Sequence, residues 1–350
     1  MKLLVTGGLG FIGSNFIIRQ IDKYKNQIFN YDKITYAANN ENLSKYSDNA
    51  LYYFLKGDIN DKSKLIDQFN YYEPDYIINF AAESHVDRSI DGPGAFINTN
   101  IVGTFALLQA SLEYYKNISG HKKNNFKFIH VSTDEVYGSL GKKGYFRETT
   151  PYNPSSPYSA SKASSDHLVR AWNHTYKMPC IITNCSNNYG PYQFPEKLVP
   201  LMIINCLKHQ SLPIYGKGDN IRDWLYVSDH CDALYEVMLN GRIGQTYNIG
   251  GNEERSNLEI VETICNVIDK KLPSKKINSY LDLITYVKDR PGHDFRYAID
   301  ASKIKKELDW KPSFSFERGI EDTIQWYINN ENWWTNILDR NYNLERLGDL

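Results

Sequence analysis

The feature that most limits the possible folds is a glycine-rich turn near the N-terminus. Residues 6–13, TGGLGFIG, follow a short apolar run and open an amphipathic stretch, with Gly7, Gly10 and Gly13 three residues apart. Glycines at this spacing let the backbone approach a pyrophosphate at the positive N-terminus of a helix. Between a strand and a helix, the motif predicts a dinucleotide-binding unit. An ordinary left-handed turn is the alternative.

Short β-branched or aromatic runs alternate with helical patterns through the first half of the chain. Strands are predicted at Leu3–Thr6, Ile28–Tyr31, Tyr52–Lys56, Tyr76–Phe80 and Phe126–Ser132, and helices at Gly13–Tyr24, Lys62–Asn70 and Asn98–Lys116. This alternation predicts the α/β class, with a doubly wound parallel sheet. The right-handed crossover rule leaves few topologies for such a sheet.

The pattern changes after Pro179. One more strand (Cys180–Asn184), an irregular segment (Tyr189–Lys197), a helix (Leu198–Lys208), a turn (Gly216–Asp219), a strand (Arg222–Val227) and a helix (Leu258–Asp269) are predicted. A chain of 350 residues is long enough for two lobes. We therefore expect a dinucleotide-binding domain at residues 1–185 and a smaller mixed α/β lobe at residues 186–350, with a soft boundary and interleaved lobes.

Composition argues against several classes of partner. The net charge is -1 and the basic residues are scattered, so we expect no nucleic-acid partner. No apolar stretch approaches the roughly 20 residues that cross a bilayer, and no signal peptide is evident, so we expect no membrane partner. Five cysteines without a C-x-x-C pair favour reduced, buried thiols over disulfides or a metal site. These features predict a soluble cytoplasmic protein.

Asp32 ends the second predicted strand, 19 residues after Gly13. A carboxylate about 20 residues beyond the glycine motif hydrogen-bonds the adenosine ribose and would repel a 2′-phosphate. This favours NAD over NADP, although a capping role in a turn is the alternative. Asp58 and Ile59, after the third strand, could border the adenine or form a turn.

Tyr158 and Lys162 lie four residues apart at the start of a predicted helix, and so on one helix face. Tyrosine is a poor base near neutral pH because its ordinary pKa is about 10. We expect the Lys162 ammonium, together with a positive nicotinamide, to favour the phenolate and lower the pKa of Tyr158. Since the chain has 27 tyrosines, this spacing gains weight only beside the glycine turn and the strand that ends at Thr133.

Together, these motifs resemble the extended short-chain dehydrogenase/reductase superfamily over nearly the whole chain. The resemblance implies a Rossmann-type NAD domain and a C-terminal lobe that binds a sugar nucleotide. The cofactor contacts that it implies are Gly7, Gly10, Phe11, Ile12, Gly13, Asp32, Lys33, Ile34, Thr35, Asp58, Ile59, Phe80, Ala81, Ala82, Ser84, Thr99, Tyr158, Lys162 and Asn188.

Two adjacent carboxyls, Asp134 and Glu135, follow Thr133 in the segment VSTDEVYG. Elimination of water across C5 and C6 of a hexose needs a base for the C5 proton and an acid for the departing hydroxyl. Adjacent carboxyls can take opposite roles if their environments separate their pKa values. An epimerase needs no such pair. Capping of the turn after the strand is the alternative.

Longer segments resemble the family of dTDP-glucose 4,6-dehydratases. They are NFAAESHVDRS (79–89), NCSNNYGPY (184–192), FPEKL (194–198), LPIYGKG (212–218), IRDW (221–224) and DRPGHD (289–294). The resemblance implies that Thr133, Asp134, Glu135, Tyr158 and Lys162 are catalytic. It implies a substrate site at Ser84, His85, Thr133, Asn187, Lys197, Leu198, Pro213, Ile214, Tyr215, Arg222, Asn257, Arg290 and His293. For His293, a structural role is the alternative to a phosphate contact.

The expected reaction is oxidation of dTDP-glucose at C4 with NAD, elimination of water across C5 and C6, and return of hydride to C6. The resemblance further implies a homodimer through a four-helix bundle built from 98–116 and 159–176, although their apolar residues could equally face their own sheet. It also implies a place in deoxysugar synthesis, such as that of rhamnose. The loop Ser139–Phe146 is shorter than in some family members, which would alter the surface near the site entrance.

Two other functions remain open from the residues. One is another sugar-nucleotide enzyme of the superfamily, either a 4-epimerase or a dehydratase of a UDP- or GDP-sugar. Asp134 and Glu135 argue against the epimerase, whereas the base of the nucleotide stays open. The other is a catalytically silent NAD-binding interaction protein, which the intact catalytic set argues against.

Overall fold

A seven-stranded, fully parallel sheet lies at the centre of the computed structural model, which describes residues 1–289 and 292–341. The strands of the chain are β1 (Lys2–Thr6), β2 (Gln27–Asp32), β3 (Tyr52–Lys56), β4 (Tyr76–Asn79), β5 (Lys127–Thr133), β6 (Cys180–Cys185), β7 (Asn187–Tyr189), β8 (Leu212–Tyr215), β9 (Ile221–Tyr226), β10 (Thr246–Ile249), β11 (Glu254–Ser256) and β12 (Ile284–Val287). The large sheet has the order β10-β6-β5-β4-β1-β2-β3. The chain reverses direction across the sheet beside β1, and ligands bind at such a switch point in doubly wound sheets.

Helices cover both faces of this sheet. They are α1 (Phe11–Asp22), α2 (Lys62–Tyr72), α3 (Val86–Asp91), α4 (Pro93–Phe96), α5 (Thr104–Asn117), α6 (Gly120–Asn125), α7 (Pro157–Tyr176), α8 (Leu198–Leu207), α9 (Val227–Asn240), α10 (Asn257–Lys271), α11 (Ser302–Leu308), α12 (Phe316–Asn329) and α13 (Glu331–Asn341), with short 3-10 turns at Asn40–Tyr46, Asp134–Tyr137 and Tyr280–Leu283. Along β1, Leu3 and Val5 pack into the core beneath α1 and α9, whereas Leu4 packs into the core beneath α2, α5 and α7. Burial on both faces explains the continuous apolar runs of the strands. The predicted α/β fold with a doubly wound parallel sheet is confirmed.

A second core supports the smaller lobe. The strands β7, β9 and β11 form a three-stranded sheet, and β8 pairs with β12. The helices α8, α10 and α12 pack together there around buried apolar residues such as Ile203, Ile264 and Ile324. This lobe therefore has its own hydrophobic interior.

The two regions of the chain are interwoven at the large sheet. The strand β10 comes from the second half of the chain, yet it pairs in parallel with β6 and closes one edge of the large sheet. The helix α9 also packs on this sheet, against α1. The division into domains at 1–185 and 186–350 stays a prediction, because β10 and α9, which follow residue 185, belong to the large sheet and its helical layer.

The helix predicted at Asn98–Lys116 differs at its start. Residues Ile97–Gly103 form a π-helix before α5 begins. Within it, the Asn100 side chain accepts from the Glu83 backbone N–H (2.9 Å) and donates to the Ser161 hydroxyl (2.8 Å). These side-chain hydrogen bonds of Asn100 to other segments stabilise the wider π-helical turn. A periodicity of 3.6 residues in the sequence does not predict them.

The continuous helical stretch Pro93–Asn117 is long and apolar enough to cross a bilayer by length and composition alone. The sequence-based statement that no apolar stretch approaches this length was therefore wrong. About half of its most apolar window, 56%, is buried inside the protein. Within this stretch α5 packs against α2 and α7, and a core helix meets the same criteria, so the stretch is weak evidence for a membrane span.

Candidate active site

The glycine-rich turn forms a cradle with no room for side chains. Gly7 has a φ of +69°, and a Cβ there would lie 2.6 Å from the Ala81 backbone nitrogen. A Cβ on Gly13 would lie 2.4 Å from the Gly7 carbonyl oxygen. The turn is closed by the Gly10 N–H, which donates to that same carbonyl (3.2 Å). Only glycine fits such a close approach, which leaves the backbone and the N-terminus of α1 facing a cavity.

Asp32 is held at the end of β2 by two backbone N–H groups. Its two carboxylate oxygens accept from Leu9 (3.0 Å) and Ile34 (2.8 Å). Burial raises the pKa of Asp32, and the two backbone bonds oppose the increase. The carboxylate is thus fixed beside the glycine turn, where it lines the same cavity.

A cavity of about 300 Å³ runs over the carboxyl ends of the parallel strands. Of the residues predicted to contact a cofactor, those that line it are Gly7, Gly10, Phe11, Ile12, Gly13, Asp32, Lys33, Thr35, Asp58, Ile59, Phe80, Ala81, Ala82, Ser84, Thr99, Tyr158, Lys162 and Asn188. Ile34 does not line it and contributes its backbone N–H to Asp32 instead. We call this space the first cavity.

The predicted catalytic side chains all reach the first cavity. Thr133 ends β5, and Asp134 and Glu135 begin the 3-10 turn that follows it. The Thr133 hydroxyl accepts from the Glu135 N–H (3.3 Å), which fixes the direction of this turn. The carboxyl ends of parallel strands meet at one edge of the sheet, so β5 delivers all three residues to the cavity.

Tyr158 and Lys162 reach the same place from the first turns of α7. A capping box formed by Ser156 and Ser159 starts this helix, with a proline at its first position. The Lys162 Nζ donates to the Val131 carbonyl of β5 (2.8 Å), so the buried ammonium is anchored to the sheet. The predicted helix face is therefore turned towards the cavity.

The pKa of Tyr158 differs from the expectation. Burial raises it well above its ordinary value, Glu135 adds to the increase, and a hydrogen bond with Thr133 opposes it. Burial also lowers the pKa of Lys162. We had expected the Lys162 ammonium to lower the pKa of Tyr158. The protein groups alone do not lower it, because desolvation in the closed interior outweighs the effect of that charge.

Asp134 and Glu135 lie in different surroundings. Asp134 is 1% exposed, and burial raises its pKa well above the ordinary value, with further increases from Glu135 and Asp223. Arg222 and the Thr133 hydroxyl act in the opposite direction. Glu135 is only half-buried. A protonated acid beside a more exposed carboxyl is the arrangement that opposite acid and base roles require.

A second cavity, of about 260 Å³, adjoins the first. It is lined by the predicted substrate residues Ser84, His85, Asn187, Lys197, Leu198, Pro213, Ile214, Tyr215, Arg222, Asn257 and His293, whereas Thr133 lines the first cavity and Arg290 lies outside the described residues. The residues that line both cavities are Ser84, Glu135, Asn187, Glu196 and Lys197. Glu135 therefore lies where the two cavities join.

Arg222 is held rigidly in the wall of the second cavity. Its guanidinium donates to the backbone carbonyls of Ile221 (2.8 Å) and Asp294 (3.0 Å). It also lies over the Tyr297 ring, 4.3 Å from the ring centre. His293 lies close to Asp289, with 2.7 Å between its Nδ1 and a carboxylate oxygen. The second cavity thus presents a fixed cation to an anionic ligand.

Several lining residues were missed by sequence analysis, among them Glu196 and Tyr297. Glu196 lines both cavities, and its buried carboxylate accepts from Arg88 (2.8 Å) and from the Tyr36 hydroxyl (3.2 Å). It lies in the segment FPEKL, which could have identified it. Tyr297 lines the second cavity from the stretch against which the short loop Ser139–Phe146 packs, and no motif marks it.

Comparisons with known proteins agree with this geometry. A family profile described as GDP-mannose 4,6 dehydratase matches residues 4–323. The chain is 54% identical to a dTDP-glucose 4,6-dehydratase of Xanthomonas campestris pv. campestris (strain B100), over 99% of this chain and 98% of that protein.

Solved structures give the same result. The crystal structure of dTDP-glucose 4,6-dehydratase from Bacillus anthracis str. Ames in complex with NAD is 47% identical, with a TM-score of 0.85 over 96% of this chain and 99% of that chain. The enzyme from Streptomyces venezuelae, with NAD and TYD bound, is 41% identical, with a TM-score of 0.88 over 96% of this chain and 100% of that one. These matches extend over both cavities and confirm the resemblance seen in the sequence: the chain belongs to the family of dTDP-glucose 4,6-dehydratases.

Proposed function

We propose that this chain converts dTDP-glucose to dTDP-4-keto-6-deoxyglucose and water, with NAD as its cofactor. The observation that carries the proposal is the position of Glu135 where the two cavities join, beside the buried Asp134 and with Tyr158 in the first cavity. A sugar placed there has a phenol and two carboxyls within reach. That set supplies every proton transfer that the elimination needs.

The first cavity fits NAD. The glycine cradle excludes side chains from the path of a pyrophosphate, and the anchored Asp32 carboxylate suits two ribose hydroxyls and repels a 2′-phosphate. When bound, NAD supplies the hydride acceptor and donor for C4 and C6 and a positive ring that favours the Tyr158 phenolate. The residues that we assign to it are those predicted from sequence, with Ile34 acting through Asp32.

The second cavity fits a nucleoside diphosphate. Its fixed guanidinium, Arg222, suits the diphosphate, since arginine forms charge-assisted bidentate bonds with phosphate. The segment Pro213–Tyr215 offers a peptide edge and a ring to the base. Asn187, Lys197, Leu198 and Asn257 complete the site. The sugar would then extend past Ser84 to Thr133, at the boundary with the first cavity.

Tyr158 is the residue that takes the proton of the C4 hydroxyl. Its pKa responds to the neighbouring Thr133 hydroxyl, and it lies one helical turn from Lys162. Since burial raises its pKa, the phenol holds its proton firmly until positive charge is near. Removal of the proton from the C4 hydroxyl therefore depends on a cofactor bound in the first cavity.

Glu135 and Asp134 then divide the elimination between them. Glu135 takes the C5 proton, which the neighbouring ketone at C4 has made acidic, as Asp134 gives its proton to the C6 hydroxyl. The C5–H and C6–O bonds break, a C5–C6 double bond forms, and water leaves. As C6 receives a hydride, Glu135, whose proton has exchanged with solvent, protonates C5. The proton that Tyr158 took from the C4 hydroxyl then leaves to solvent, and solvent reprotonates Asp134.

Turnover in heavy water tests this chemistry. The purified protein should convert dTDP-glucose to a 4-keto-6-deoxy product with one solvent deuteron at C5, detected by mass spectrometry and NMR. Product without solvent hydrogen at C5 would sink the elimination step. A thermal-shift screen of dTDP-, UDP- and GDP-glucose tests the base, and the largest stabilisation should come from the dTDP-sugar.

We also propose a homodimer built from two copies of α5 and α7. Three apolar side chains on the stretch Pro93–Asn117 are exposed, namely Ile97 (46%), Val102 (45%) and Phe105 (39%). Phe105 lies edge-on to Trp172 of α7, with ring centres 5.8 Å apart. Such a patch is costly in water, and a second copy would cover it in a four-helix bundle.

The setting that we propose is the cytoplasm, in the synthesis of a deoxysugar such as rhamnose. The five cysteines are free and buried, which suits a reducing compartment. A 4-keto-6-deoxy sugar nucleotide is an intermediate that further epimerisation and reduction must consume. Immunolocalisation of the protein, and loss of the deoxysugar on deletion of its gene, would test this setting.

A further inference from the structure

Three polar side chains follow one another along a single face of α7. Tyr158, Lys162 and Asp166 are four residues apart, so they lie one above the next on the helix. Lys162 is 3% exposed and Asp166 is fully buried. The mechanism above uses Tyr158 and Lys162 but gives no role to this second buried charge.

A buried ammonium needs a negative partner, since its desolvation costs several kcal/mol otherwise. In the described part of the chain, two groups act to raise the pKa of Lys162, namely Asp166 and the Cys185 thiol of β6. Burial raises the pKa of Cys185 to about 12, so that group is neutral. The other carboxyls of the site, Asp134 and Glu135, act on Tyr158. Of these groups, Asp166, one helical turn further along α7, is therefore the anion that acts on Lys162.

The surroundings of Asp166 keep its charge available. One carboxylate oxygen accepts from the hydroxyls of Ser132 (2.9 Å) and Tyr152 (2.8 Å). The other lies 3.4 Å from His130 Nε2. Burial acts to raise the pKa of Asp166, but His130, Lys162 and the Tyr152 hydroxyl together hold that pKa below its ordinary value. Burial and the Lys162 ammonium lower the pKa of His130 to about 4, so the imidazole is neutral at pH 7.

We propose that Asp166 is a positioning residue of this enzyme: its buried carboxylate is the counter-charge that keeps Lys162 an ammonium beneath Tyr158. The proposal deepens the proposed function, because Lys162 matters to turnover through Tyr158. Ser132 adjoins Thr133 on β5, so the same strand supports the carboxylate and the catalytic hydroxyl. Asp166 itself lines neither cavity.

The first test is thermal unfolding, which needs no turnover. Asp166→Asn and Lys162→Met should each lower Tm, since each leaves one buried charge without its partner. The double variant should lose less than the sum of the two losses, by roughly 2 °C or more. A control pair, Lys162→Met with the distant Asp300→Asn, should be additive. Additive losses for the first pair would overturn the proposal.

If Asp166→Asn alone does not accumulate in folded form, the added Lys162→Met should restore folded protein. Failure to restore it would count against the charge pairing. This outcome is independent of the dehydratase chemistry, so the counter-charge and the proposed function can fail separately.

The second test is the pH profile of kcat. In Asp166→Asn, Lys162 is less protonated, so the Tyr158 phenolate is less stabilised and the pKa of Tyr158 rises. The acid limb of the kcat profile should therefore move to higher pH by about one unit. The kcat should fall about tenfold, with KM for dTDP-glucose within about twofold. Tyr152→Phe removes one hydrogen bond and keeps the carboxylate, and should leave the limb in place. An unmoved limb in Asp166→Asn, or an equal shift in Tyr152→Phe, would assign Asp166 a purely structural role.

Discussion

Asp134 and Glu135 are adjacent in sequence, yet only Glu135 lines both described cavities, whereas Asp134 is buried against the first. The 3-10 turn after β5 separates the two side chains in this way. Burial consequently raises the pKa of Asp134, whereas Glu135 faces the place where a sugar would lie. This separation is the physical basis of the two roles that we assign.

Glu135→Gln should block elimination more than oxidation. The amide keeps the size of the side chain but cannot take the C5 proton, so formation of the 4-keto-6-deoxy product should fall by about 100-fold or more. Single-turnover experiments should still show reduction of the cofactor on addition of substrate. Asp300→Asn, a change in a residue that lines neither cavity, serves as the control and should leave both steps unchanged. Equal loss of both steps would contradict the assignment of Glu135.

The alkaline limb of the pH profile should depend on Asp223. Asp134 must carry a proton to protonate the leaving hydroxyl, so activity is lost as pH rises through its raised pKa. Asp223, with a pKa of about 6, is ionised at neutral pH and contributes to that increase. Asp223→Asn removes the charge, which lowers the pKa of Asp134 and should move the alkaline limb of kcat to lower pH by roughly half a unit or more. A limb that moves to higher pH would contradict this electrostatic account.

Gly13→Ala should remove the cofactor site. The added Cβ would meet the Gly7 carbonyl oxygen at 2.4 Å, which is backbone and cannot move aside cheaply. Overpacking of this kind costs about 1–3 kcal/mol, so we expect a roughly 5- to 150-fold weaker affinity for NAD by calorimetry. Gly141→Ala is the matched control, since a Cβ there meets no atom within 4 Å. Full retention of NAD by the Gly13 variant would exclude the proposed cradle.

Arg222→Gln should weaken binding of the nucleotide. Loss of a charge-assisted contact to phosphate costs about 1.5–3 kcal/mol, which corresponds to a roughly 10- to 100-fold increase in the Kd for dTDP. Isothermal titration with dTDP measures it without turnover. Arg147→Gln is the control, because that side chain is 72% exposed and pairs with Asp300. Unchanged affinity in the Arg222 variant would place the diphosphate elsewhere.

Phe105→Glu should produce a monomer. A carboxylate in the exposed apolar patch would be buried without a partner in the four-helix bundle, at a cost that an interface tolerates poorly. Sedimentation velocity should show half the mass of the unmodified protein. Tyr71→Glu, on α2, changes a side chain that is 78% exposed outside this patch and should leave the mass unchanged. An unmodified protein that sediments as a monomer, or a Phe105 variant of unchanged mass, would refute the proposed interface.

The sequence alone determined those features that depend on local spacing. The glycine turn, the i, i+4 pair of Tyr158 and Lys162, and the adjacent carboxyls after β5 each fix a geometry within a few residues. The alternation of apolar strands with amphipathic helices likewise determined the parallel sheet. Longer segments were specific enough to identify the family.

The tertiary structure decided everything that depends on partners distant in the chain. β10 joins the sheet beside β6, the turn at Ile97–Gly103 widens into a π-helix around Asn100, and Glu196 meets Arg88. Burial reversed the expected direction of the Tyr158 pKa and gave Lys162 a counter-charge in Asp166. Desolvation and charge pairing depend on the packing of the folded chain, so a sequence pattern predicts neither of them.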